Sequence, residues 1–412
     1  MSETYHLFDC FGVELEYMIV DRDTLDVAPL TDRVLYEVAG SFESEVERGS
    51  LSWSNELVLH VIELKTNGPA PSLDPLADAF QRDVQQIDAL LKPLNARLMP
   101  SAMHPWMDPF TESHLWPHEH NSVYEAFDRI FNCKGHGWSN LQCTHLNLPF
   151  DGDEEFGRLH AAIRMILPIL PAIAASSPVM DGQLGASANG RLNVYRSNAR
   201  RVPIVSGRVI PEPAYTRSAY ERDILERIYA DLAPHDPEGV LRYEWANARG
   251  AIARFDRNAI EIRVLDIQEC PHADLAILML IVATLRALAD EQWSDLRSQQ
   301  GWSVEALEPI LLATIRDADE AVIDNKAYLH AFGWEGSDQP TAGALWADIA
   351  DRVFTQAEQN SAALEPLTVM FEHGCLSRRI RQALGPDPDR TRIGTVYGQL
   401  CDCLAGGRMF HG

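Results

Sequence analysis

The chain has 412 residues, is 46% hydrophobic and carries a formal net charge of −25 at pH 7. That is enough apolar material for a large globular core, and a field of that sign repels nucleic-acid phosphates and anionic membranes, which excludes both as partners. A nucleotide would be repelled as well, so a site for one must supply its own positive charge from metal ions or arginines.

Lysine is confined to Lys65, Lys92, Lys134 and Lys326. An arginine-dominated basic complement fits base composition or a salt-adapted lineage, and it assigns no role to any single arginine. The seven cysteines are dispersed with no CxxC pair, which points to a reducing cytoplasm. The polar start Met1-Ser2-Glu3-Thr4 does not read as a signal peptide. The longest apolar stretch, 275–288, reads as too short to span a bilayer and is broken by Arg286.

In chain order, 11–20 alternates and reads as a strand. Residues 57–66 (LVLHVIELKT) read as a second strand, stopped by Asn67-Gly68-Pro69. Helical periodicity covers 74–94, with Asp74 as its expected cap and Asn95 as its stop. Short strands are expected at 97–102 and 141–148, then a helix over 153–175 kinked at Pro168 and Pro171. Residues 181–215, rich in Gly, Ser, Asn and Pro, read as a long active-site loop. Residues 251–266 form a hairpin turning near Arg257-Asn258. Long helices are expected over 273–297, 303–329, 344–360, 366–384 and 391–404. Without a regular βαβ beat, this is an α+β protein with a mainly antiparallel sheet. It reads as a single catalytic domain, with 1–270 bearing the sheet and 271–412 a helical part packed on it. Neither a Rossmann glycine fingerprint nor a Walker A loop is present.

Glu14 and Glu16 are two apart on a strand and point to one face. Alone, such a pair fits a solvated edge-strand face better than a site. Further polar groups embedded in strands change that: Glu63, with Glu56 just ahead of it, His145 and Asn147 on one face, and Glu261 with Arg263 on another. Hard oxygen ligands with one imidazole suit Mg²⁺ or Mn²⁺ better than a structural Zn²⁺. His104, His114, His118, His120 and His136 cluster in sequence around a Trp/Pro-rich loop, but their spacings match no zinc signature, and a lid or partner surface is the expectation.

The run FGVELEY (11–17) resembles the opening strand of glutamate–cysteine ligase family 2, the carboxylate–amine ligases. ELVLHVIELKT (56–66), AMHPW (102–106), CTHLNL (143–148) followed by AASSPVMDG (174–182), and AIEIRVLD (259–266) recur in the family's order. The resemblance implies a glutamine synthetase-like catalytic fold, a curved antiparallel sheet backed by helices that holds Mg²⁺–ATP. It also implies that Glu14, Glu16, Glu63, His145 and Glu261 coordinate metal, with Glu56 a further ligand despite a change of strand parity. Arg263 and Arg191 would bind phosphate or the substrate carboxylate, with Arg196 a further candidate for the same work. His104 would be a lid or substrate residue, and Asn147 stands where many relatives carry a second histidine.

The activity implied is ATP- and Mg²⁺-dependent amide formation through an acyl phosphate, joining a small glutamate-like carboxylate to an amine in a cytoplasmic homodimer. The rivals are a phosphotransferase of the guanidino-kinase type, a metal-dependent amide hydrolase working without ATP, and a non-catalytic binding protein.

Overall fold

The alternation near the start of the chain becomes β1 (Gly12–Asp21), the strand around which the sheet is built. The computed structural model describes residues 4–412. Along one edge β1 pairs with β4 (Val61–Thr66); along the other it pairs first with β6 (Cys143–Pro149) and then with β5 (Ala96–Met99). Beyond β4 lie β3 (Leu51–Asn55) and β2 (Glu45–Arg48), and beyond β6 lie β10 (Ala259–Asp266) and β9 (Ala251–Arg254). Every pairing in this eight-stranded sheet is antiparallel. A separate ribbon joins β7 (Val179–Met180) to β8 (Gln183–Leu184).

Several elements differ from expectation for physical reasons. The strand expected over 57–66 starts only at Val61, because the backbone before it bonds elsewhere: the Leu59 N–H donates to His114 O and the Trp116 N–H to Leu57 O. The helix expected over 74–94 runs Leu76–Leu91 without a side-chain cap, so Asp74 does not serve as one. A 3₁₀ turn, Lys92–Leu94, follows it, and the helical stretch stops as expected at Asn95, which is left-handed at φ 52°. The 181–215 loop contains a helix, Gly190–Tyr195, and a 3₁₀ turn, Pro203–Val205. The helix expected over 391–404 forms unbroken as Arg390–Gly406, but others of the last third are broken; the one expected over 303–329 ends at Asp317, where Ala318 takes φ 48°, and resumes at Lys326.

One face of β1 presents Val13, Leu15, Tyr17 and Ile19, all fully buried. Helices Leu76–Leu91, Gly152–Ile166 and Pro271–Ala289 contribute to the same apolar core. The third of these corrects the sequence estimate: at 19 residues it is long and apolar enough to cross a bilayer, yet 78% of that span is buried inside the fold. The other face is divided. At its far end Met18, Val20 and Met99 pack with Leu376, Ile380 and Tyr397, side chains of helices Leu376–Leu384 and Arg390–Gly406. At its near end lie Glu14 and Glu16, and Glu16 lines a cavity.

Candidate active site

Residues directly opposite in an antiparallel ladder share a face, and here the register lines up polar groups. Glu14 stands between Lys65 on β4 and His145 on β6, Glu16 opposite Glu63, and Glu63 opposite Ser54. Glu261 stands opposite Asn147, which in turn stands opposite Gly12. A Cβ on Gly12 would lie 2.9 Å from the Asn147 Cβ, which explains a glycine at the head of GVELE. Asn147 Nδ2 donates to Glu14 Oε1 at 3.1 Å, so Asn147 braces a carboxylate.

A bulge in β10 sets the rest of the site. Register shifts between Ile262 and Leu265, so Val264 and Leu265 are both buried and Asp266 arrives opposite Cys143 on the polar face. Asp266 accepts from Arg191 Nε at 2.6 Å and from Ser177 Oγ at 2.7 Å. Arg191 is held at the start of its helix, where Asn189 caps Leu192 N–H. Its Nη2 is buried without a hydrogen-bond partner, on a side chain that lines the cavity.

Among the described residues, three groups converge closely enough to hold an ion: Glu14–Glu63–His145, Glu16–Glu56–Glu63 and Glu16–Cys143–His145, each with ligand atoms within 4.8 Å of one another. Buried carboxylates this close repel and lose hydration unless a cation sits between them. Burial, then the charges of Glu16 and Glu63, push the Glu56 carboxyl well above its ordinary range. Glu63 is raised to about 7 by burial and the Glu14 charge, against the pull of Lys65, whose Nζ lies 3.2 Å away. Burial alone would raise Glu14, but the His145 hydrogen bond at 2.7 Å and the charges of His145 and Lys65 hold it below the usual range. The donor set, carboxylate oxygens with one imidazole, fits hard divalent ions.

Glu261 stands beside these groups rather than in them. Arg263 Nε is 3.1 Å from its Oε1 and Arg254 Nη1 is 3.6 Å from its Oε2. Glu56 joins the cluster because it lies past the end of β3, where strand parity no longer applies. Arg196 is half-buried at the end of its helix and does not line the cavity. His104 is fully buried; its Nε2 bonds Leu25 O at 2.7 Å and its Nδ1 accepts the Met107 N–H at 2.9 Å. Burial drives its pKa down to about 3. It is a neutral brace for the turn and does not act as a lid. None of the convergent groups includes His114, His118, His120 or His136.

The cavity holds about 1020 Å³. Besides the acidic floor it has arginines Arg242, Arg254 and Arg257 and an aromatic wall in which Tyr243 stacks on Trp245, centroids 5.5 Å apart and 11° from parallel. Sequence reasoning missed Cys143, Lys65 and Arg254. Cys143 and Lys65 lie two residues from His145 and Glu63, so period two applied to every polar strand residue finds them, whereas Arg254 pairs with Ala259 and only the register brings it beside Glu261.

A protein of Archaeoglobus fulgidus without an assigned function is 35% identical over 314 residues, covering 75% of this chain and 84% of that one. A Nocardioides protein provisionally named glutamate–cysteine ligase 2-1 is 28% identical, covering 72% of each. The crystal structure of a glutamate–cysteine ligase from Francisella tularensis in complex with AMP is similar in fold, with a TM-score of 0.60, 12% identity, and coverage of 98% of this chain and 90% of that one. The family model of glutamate–cysteine ligase family 2 matches residues 10–398, and the chain belongs to that family of ligases.

Proposed function

We propose that this carboxylate–amine ligase uses ATP to join a small glutamate-like carboxylate to an amine. Supporting this are the family match and the AMP bound to the Francisella fold-mate. The observation that carries it is the meeting in one cavity of Glu16 and Glu56, which converge with Glu63, and the unpartnered Arg191 Nη2. Glu14, Glu16, Glu56, Glu63 and His145 would hold Mg²⁺ or Mn²⁺, which when bound supplies the positive charge that phosphate oxygens require. Arg191 and Arg263 would hold a transferring phosphoryl group or the substrate carboxylate, and Glu261, between two arginines, would position Arg263. The Tyr243–Trp245 stack offers a flat surface for a base.

A substrate carboxylate oxygen takes the γ-phosphoryl group and ADP leaves. The amine nitrogen then attacks the acyl carbon, the carbon–oxygen bond to phosphate breaks, and the nitrogen loses a proton. No covalent nucleophile is needed, because positioning and charge neutralisation do the work. The test is to measure ADP and phosphate release with Mg²⁺–ATP and glutamate across a panel of amines. Amine-dependent phosphate release with amide formation is expected. A stable phosphorylated product, or amide hydrolysis without ATP, would overturn the reading.

A further inference from the structure

Cys143 precedes His145 by two on β6, so both side chains occupy the polar face. Its Sγ lies 3.0 Å from His145 Nε2 and 3.2 Å from Glu16 Oε2, while Glu16 Oε1 is 3.9 Å from that same nitrogen. All three residues are buried, and all line the cavity. A tetrahedral ion bound at about 2.0–2.3 Å keeps N, O and S ligands roughly 3.3–3.6 Å apart, so side-chain shifts of about half an ångström that bring one Glu16 oxygen to both partners would admit one. Sulfur and imidazole together select thiophilic ions over Mg²⁺.

A second observation concerns orientation. His145 Nδ1 lies 2.7 Å from Glu14 Oε2, and a metal-bound imidazole characteristically donates its other N–H to a carboxylate. Glu14 is therefore placed to hold the Nδ1–H and leave the Nε2 lone pair facing Cys143. We infer that Cys143, His145 Nε2 and Glu16 form a distinct cation position for a thiophilic divalent ion of the Zn²⁺ class, with its remaining coordination open to the cavity. Binding releases to solvent the Cys143 thiol proton and the Nε2 proton that His145 carries when its charge holds Glu14 low. Neutral imidazole has one lone pair, so an ion at Nε2 withdraws His145 from the group around Glu14 and Glu63, and the two uses exclude one another.

The test is Co²⁺ titration of chelator-stripped protein without nucleotide, read by near-ultraviolet thiolate-to-cobalt charge-transfer absorption. One equivalent should develop the band, one equivalent of Zn²⁺ should bleach it, and excess Mg²⁺ should not. Cys143→Ser should abolish the band, with Cys143→Ala as the second variant where the serine fails to fold. Cys403→Ser, altering the half-exposed cysteine, should keep it. No band in the wild type, or a band that survives loss of Cys143, overturns the proposal. With nucleotide absent, failure here leaves the ligase reading untouched, and an inactive ligase leaves this site untouched.

Discussion

The two faces of β1 use the same backbone for opposite purposes. Val13, Leu15, Tyr17 and Ile19 are at 0% exposure within one continuous core. Interleaved with them, Glu16 is nearly as enclosed at 6% and Glu14 is half-buried, but both converge with other ionisable groups. Burial stabilises the first face by about 1.5–3 kcal/mol for each large side chain. On the second, burial without a counter-ion is unfavourable, and chemistry explains its retention. Similar enclosure thus has opposite energetic sign, and substitutions on the two faces should separate stability from activity.

Arg191→Ala should break that separation. It strips a buried arginine from Asp266 and leaves an uncompensated charge, at about 3–5 kcal/mol, so both denaturant midpoint and turnover fall. Leu15→Ala should show the pure core signature, a loss of about 2–5 kcal/mol in urea unfolding, with the folded fraction keeping its specific activity. Glu63→Gln should show the reverse: activity per folded molecule falls by roughly 10–100-fold, a typical scale for disturbing a metal shell, while the melting temperature holds or rises as like-charge repulsion is relieved.

Acid should act through the buried, neutral side of the molecule. Burial depresses His104 and His160 to about 3 in the folded state, against about 6.5 when unfolded. The unfolded chain therefore binds protons first, so this stability is intact above about pH 6.5 and declines as pH falls toward 3. The slope is about 1.4 kcal/mol per pH unit for each histidine. Melting curves between pH 7 and 5 should show the decline, and His104→Gln should flatten it. The smallest effect belongs to Arg196→Ala, expected within about 0.5 kcal/mol in stability and without consequence for turnover.

Much of the site face was legible because strand period is two. Spacing paired Glu14 with Glu16, His145 with Asn147 and Glu261 with Arg263 within their strands, the family resemblance joined them with Glu63 as one set, and the register unites them on one face. Glu56 was judged by strand parity where the chain is no longer a strand. His104 was drawn toward function by its motif, whereas its burial and its Nε2 hydrogen bond depend on distant backbone, the Leu25 O. The helical third was legible as helical, but its breaks depend on tertiary contacts. Its buried Arg379–Glu269 pair, which also engages the backbone of Phe410, has no sequence signal.

The β10 bulge has a consequence for how this strand tolerates length changes. Counting from Glu261, an even tread would carry Leu265 to the polar side and turn Asp266 inward; the extra step reverses both. Inserting one further residue between Ile262 and Leu265 would therefore swap a leucine and an aspartate across the sheet and unseat Arg191, whereas deleting one there would remove the extra step and keep both on their present faces. The same insertion in the β9–β10 turn, at exposed Asp256 or Arg257, would shift nothing on either face. The strand behaves as a ratchet, free to lose its extra step and barred from gaining another.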